Sequence, residues 1–333
     1  PYLLHRMIGS EEVYRATMSY LDWRVYGFFF SFIAVMFRAF YVSTTNTKIL
    51  TANSVVMVLT NVVLNYILIF GKFGFPVLGI AGAAIASSIS EAVSVMFFVI
   101  YTWKKVDYKK YGLFRFTRVD FRMLGQILSV SIWVMIQHGI AFGGWFIFFI
   151  AMEHLGERPL AITNVVRSIS SFLFMFVNAF ASTNSSLVSN LIGAGESDRV
   201  LPLCRRMIGL CYAFVLPIGI LIAMFPSTVL RIYTDNPDLI ASSIPSLWVM
   251  LSSYLFAVPG FIYFFSVSGT GNTRRALEID MASIFVYVLY ILYVAVWLRA
   301  DVAVCWTTEY VYNIMILSSF FYLWKGNWRN KKI

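Results

Sequence analysis

Asn61–Glu91 reads NVVLNYILIFGKFGFPVLGIAGAAIASSISE: an apolar run, a turn built from Gly, Lys, Phe and Pro, and a second apolar run that opens on small residues. A bilayer core of about 30 Å needs roughly 20 apolar residues per helix, and the flanking sequence extends both runs to that length, over 49–71 and 78–102. Outward from this pair the pattern recurs at 17–43, 124–152, 160–190, 204–225, 244–268, 277–298 and 303–324, nine runs in all. Each is expected to be a helix, because lipid offers the backbone no hydrogen-bond partner and the runs are too long for barrel strands. The composition agrees: of 333 residues, 59% are hydrophobic and 13% charged, where soluble domains carry about 25% charge. A cytosolic enzyme, a disordered chain and a fibre are all excluded. Cys204, Cys211 and Cys305 form no CxxC pair and read as small buried apolar groups.

Basic residues are retained on the cytoplasmic side of a membrane, so counting Lys and Arg in alternate connections sets the direction of the chain. One set of connections carries 17 of them, at 48, 104–122, 199–206, 274–275 and 325–332; the other carries 7, and only Arg38 and Arg167 fall inside runs. The C-terminus is therefore expected in the cytoplasm. The formal net charge of +10 is then a topology signal, and no nucleic-acid partner is implied.

The chain also resembles itself. Phe40–Lys48 reads FYVSTTNTK and Phe265–Arg274 reads FSVSGTGNTR, with Asn46-Thr47-Lys48 falling on Asn272-Thr273-Arg274 at an offset of 226. Two apolar runs follow in each case, and both copies enter from the same side, as in transporters built of repeats related by an axis along the membrane normal. By this offset the first copy is expected to lack three spans and roughly a hundred residues ahead of Pro1. The expected domains are half of an N-terminal lobe over 1–102, a basic linker over 103–123 and a whole C-terminal lobe over 124–333.

The 61–91 stretch resembles the multidrug and toxic compound extrusion (MATE) transporters, which carry an N-x-x-L-[DN] element, a glycine-rich turn and a G-A-A-x-A-[ST] helix start. LAITNVVRS from Leu160, SNLIGAGESDR from Ser189 and the SGTGNTR turn extend the likeness over nearly the whole chain. The resemblance implies an all-α, two-lobe membrane protein with nine of twelve helices present, and secondary active efflux of amphipathic, often cationic, compounds in exchange for protons or sodium ions. No cofactor beyond that ion is implied, no catalysis, and a bacterial inner-membrane location. Carried over from the family, the coupling positions are Asn61, Asn65 and Ser87; a first-span Asp used by many relatives has no counterpart here, and Asn65 stands where many have Asp.

Asn61 and Asn65 share one helix face, as do Ser87 and Glu91 on the next helix, so these four are the candidates for ion or proton coupling. Glu91 reads as the one acid near the middle of a run, where a charge costs roughly 2.5–3.5 kcal/mol even on lenient insertion scales. It is expected to be a proton acceptor, or else a neutral packing residue bonded across a helix interface. Gly79/Ala83 and Gly82/Ala86 are small pairs that let helices approach. In the second lobe Gln137, His138, Asn164 and Arg167 are the candidates to line a substrate cavity, with Asn178 and Asn184 nearby, and Phe142 and Trp145 to offer aromatic faces to cations.

Two alternatives accompany this reading. A lipid-linked saccharide flippase of related architecture would want a strongly cationic cavity, and only Arg38 and Arg167 lie inside runs. A membrane transferase would want an acid, His or metal cluster, and His5, His138 and His154 are scattered. Direct use of ATP is not expected, since no Walker lysine follows a glycine-rich loop.

Overall fold

A computed structural model describes residues 11–107, 111–112, 120–326 and 328. His5 and Arg6, the linker residues Lys109, Lys110, Arg115 and Arg118, and the terminal Arg329, Lys331 and Lys332 lie outside them. The described residues are helical without a strand, and eight helices are long and apolar enough to cross a membrane. They fall into two compact units, Pro1–Arg118 and Val119–Ile333.

The first unit holds α1 (Glu11–Ser43), α2 (Lys48–Phe70) and α3 (Gly79–Lys105). Helix α2 stops because Gly71 adopts φ 63° and turns its N–H back to the carbonyl of Ile67, the left-handed cap that glycine takes without strain. The chain then returns so closely that a Cβ on Gly82 would lie 2.7 Å from the carbonyl oxygen of Leu68. The small residues at the start of α3 thus permit the contact expected of them. Helix α3 lies between α1 and α2 and packs along both. The unit's apolar core is small, centred on Tyr41, Ile49 and Phe98.

The second unit holds α4 (Phe121–Leu155), α5 (Glu157–Gly193), α6 (Val200–Met224), the short α7 (Pro226–Leu230), α8 (Pro237–Gly269) and α9 (Thr273–Ile291). Asp120 caps α4 by accepting from the backbone of Arg122 and Met123, and Asn236 caps α8 in the same way ahead of Pro237 at its first position. Helices α5 and α8 come into backbone contact: a Cβ on Gly269 would lie 2.5 Å from the carbonyl oxygen of Ser185. Asn184 Nδ2 donates to Ser266 Oγ at 2.7 Å and Ser189 Oγ to the Gly269 carbonyl at 2.7 Å. A large core surrounds this contact and includes Leu173, Leu247, Ile262 and Trp306.

The ninth apolar run is helical but not one helix. The eighth run ends where helix α9 loosens into a wide turn over Leu292–Trp297; for the ninth, Asp301 caps a new start, and α10 (Val302–Cys305), α11 (Thr308–Leu317) and α12 (Ser319–Lys325) follow with breaks between them. Large apolar side chains such as Phe32, Val77, Phe142, Phe285 and Trp297 are exposed on both units, as expected where the solvent is lipid.

The repeat seen in the sequence has a structural counterpart. Under the shift of 226, the end of α1 at Ser43 falls on the end of α8 at Gly269, and the start of α2 falls one residue beyond the start of α9. Helix α11 packs against both α8 and α9, the place α3 holds between α1 and α2.

Candidate functional site

In the first unit Asn65 Nδ2 donates to Asn61 Oδ1 at 2.8 Å, and Asn61 Nδ2 donates across the α2–α3 interface to Ser87 Oγ at 3.3 Å. Asn53, which the sequence did not single out, makes a parallel bridge one level away, donating to Ser94 Oγ at 2.8 Å with both groups buried. Three of the four coupling candidates are therefore brought together. The fourth, Glu91, bonds elsewhere: its Oε1 accepts from Arg24 Nη2 of α1 at 2.7 Å, with side chains 15% and 20% exposed. Of the states open to a buried acid this is the paired one, and it departs from the expectation of a neutral or proton-accepting Glu91. Arg24, counted from sequence among the connecting residues, sits well inside α1. Gly27 makes room for the pair, because a Cβ there would lie within 2.9 Å of Arg24 Nη1, Ser88 Oγ and Glu91 Oε2.

The second unit encloses a cavity of about 550 Å³ between α4, α5, α8, α9 and α11. Gln137, His138 and Arg167 line it, as do Asn178, Phe142 and Trp145. Asn164 does not: it is exposed on α5 away from the lining, and Asn184 is buried in the α5–α8 contact. Arg167 stacks over the ring of Phe149, its guanidinium 4.4 Å from the centroid, rather than pairing with Glu153.

Two acids that the sequence pattern did not bring forward lie on the cavity wall, Asp280 of α9 and Glu309 of α11. Asp280 is 1% exposed and its Oδ1 accepts from Tyr312 Oη at 2.9 Å; Gln137 reaches the same carboxylate from α4. Among the described residues neither acid has a salt-bridge partner. Tyr287 Oη and Asn313 Oδ1, both buried and both on the lining, have no hydrogen-bond partner among the described residues. Buried polar atoms are nearly always satisfied, so two carboxylates and two unmet oxygen groups on one wall describe a surface suited to a proton or a small cation. The sequence signal was the triplet Glu309, Tyr312 and Asn313, which at this spacing shares one face of a helix.

The sequence matches the family described as MatE over residues 1–67 and 134–294, more than half of the chain. The chain belongs to the MatE family. Its identity to a probable multidrug resistance protein NorM of Thermotoga maritima is 28% over 239 residues, covering 71% of this chain and 50% of that one. With the probable multidrug resistance protein YoeA of Bacillus subtilis the identity is 25% over 253 residues, 75% of this chain and 55% of that one. The chain spans about half the length of the curated relatives it matches. Its fold is similar to a crystal structure of MATE in complex with MaL6, with a TM-score of 0.85 at 16% identity over 98% of this chain and 73% of that one. It is also similar to MATE in the straight conformation, with a TM-score of 0.81 at 16% identity over 96% and 72%. Membership of this MATE family and eight apolar helices make it a multi-pass membrane protein of a transporter family.

Proposed function

We propose that the protein works in secondary active efflux, exchanging amphipathic or cationic small molecules for protons or sodium ions, and that the coupling ion is taken up on the Asp280–Glu309 wall of the second unit. The observation that carries this is two carboxylates without salt bridges facing a cavity of about 550 Å³. A buried charge without a counter-ion is costly, so each acid gains by taking a proton or a cation, which is what coupling to an ion gradient requires. Arg167 provides an internal positive charge on the same lining, and Phe142 and Trp145 offer faces to an organic cation. The Arg24–Glu91 pair is already neutral as a unit, and we assign it a structural role. The excess of Lys and Arg on one set of connections supports a cytoplasmic C-terminus in a bacterial inner membrane. A flippase for anionic lipid-linked sugars is disfavoured, since Arg167 is the one Arg or Lys among the described lining residues.

The test is ethidium efflux from vesicles holding the full-length protein, under a proton gradient and a sodium gradient separately. Asp280→Asn and Glu309→Gln are expected to abolish the dependence on one gradient. Wild-type rates under both gradients in both variants would remove these acids from the coupling site.

A further inference from the structure

A second hollow of the second unit, of about 520 Å³, is lined by a different set of α9 residues from the Asp280–Glu309 wall and takes no part in the proposed coupling. It is a groove between the first turns of α9 and the α11–α12 segment. The two sides run antiparallel in a register fixed by two hydrogen bonds: Asn272 Nδ2 donates to Tyr322 Oη at 2.8 Å at the helix ends, and Tyr312 Oη to Asp280 at 2.9 Å deeper in. This register sorts the lining by depth. Asn272, Arg275, Tyr322 and Lys325 stand at the mouth, and Ile279, Ala282 and Met315 lie one to two turns inward. Beyond the groove the surface stays apolar and open, with Phe285 66% exposed.

We propose that this groove binds one anionic phospholipid, with the phosphate held by Arg275 and Lys325 and the acyl chains laid along Ile279, Ala282 and Met315. The shape is that of an amphiphile, polar at the helix ends and apolar toward the membrane interior, and basic pockets between helices at a membrane face suit anionic headgroups. The charge agrees. Arg275 and Lys325 face one carboxylate, Glu278, and Arg274 adds a further cation against that carboxylate at 3.4 Å. Glu278 holds Arg275 in an exposed pair, with side chains 42% and 60% accessible. Such pairs contribute little, so a phosphate can replace the carboxylate as the partner of the guanidinium, whose planar fork matches phosphate oxygens. Glu278 is then a competitor built into the site, and its removal is expected to tighten binding.

The experiment is native mass spectrometry of the purified protein in detergent, titrated with phosphatidylglycerol, with phosphatidylcholine of the same acyl chains, and with phosphatidylglycerol plus inorganic phosphate. Wild type is expected to retain phosphatidylglycerol over phosphatidylcholine. The double variant Arg275→Ala, Lys325→Ala is expected to bind phosphatidylglycerol about tenfold more weakly, and Glu278→Gln severalfold more tightly, with phosphatidylcholine unchanged in both. Because Glu278→Gln reads as a gain, a general loss of folding cannot imitate the result. Equal retention of the two lipids by wild type, or no response to Glu278→Gln, overturns the proposal; displacement of the lipid by millimolar phosphate alone would assign the groove to free phosphate instead.

Discussion

The two units handle charge inside the membrane in opposite ways. In the first, the intramembrane acid meets a base: Glu91 and Arg24 lie 2.7 Å apart, with Gly27 clearing space around them. In the second, Asp280 meets the hydroxyl of Tyr312, and both Asp280 and Glu309 face a cavity. Under the internal shift Asn61 falls on Tyr287; the first is bonded across a helix interface, the second leaves its hydroxyl unmet on the cavity wall. A paired charge fixes two helices against each other, whereas an unpaired one makes its surroundings sensitive to what occupies the space beside it. The same framework thus yields a clamp in one unit and a responsive wall in the other.

The largest effect that separates these roles is expected at Glu91. Replacing it by Leu strands the Arg24 guanidinium and should cost about 3–5 kcal/mol, read as a lowered melting temperature in detergent, and replacing Arg24 by Leu as well should recover most of it. A double variant no more stable than the single would show that the pair is not what joins α1 to α3. Next in size is Gly27→Ala, whose methyl meets both charged groups and Ser88; overpacking of this kind costs about 1–3 kcal/mol, and an unshifted melt would mean that the pair has room to spare. In the second unit Tyr312→Phe removes the donor to Asp280 and is expected to cost about 1–3 kcal/mol, the range for leaving a buried acceptor without its partner. The smallest change is expected from Asp280→Asn, which keeps an acceptor for Tyr312 and removes a charge that has no counter-ion, so stability should move by less than about 1 kcal/mol. A loss there as large as at Glu91 would erase the contrast between the units.

The helices were legible in the sequence because lipid imposes a minimum length of apolar residues, and eight of nine runs are single long helices. The ninth was legible as apolar but not as broken, since the breaks at Trp306–Thr307 and Ser318 are tightened turns with i→i+3 bonds that carry no Gly or Pro signal. Asn61, Asn65 and Ser87 came from the family resemblance, with helical spacing placing Asn61 and Asn65 on one face; the same spacing rule applied to Glu309, Tyr312 and Asn313 would have found the second wall. Asp280 escaped for another reason. It lies near the start of the run drawn from Leu277, where an acid reads as interfacial, but α9 begins at Thr273 and carries it to a position 1% exposed. The partner of Glu91 was hidden in the same manner, as Arg24 near the end of a run looks like a boundary residue until α1 is seen to continue past it on both sides.

The coincidence of the ends of α1 and α8 also bears on ancestry. Between Ser43 and Gly269 the chain passes through six long helices, α2 to α6 and α8, and an even number of crossings returns a polypeptide to the side from which it set out. A duplicated module with such a count can be joined tail to head and keep its orientation, with no need for the second copy to insert upside down.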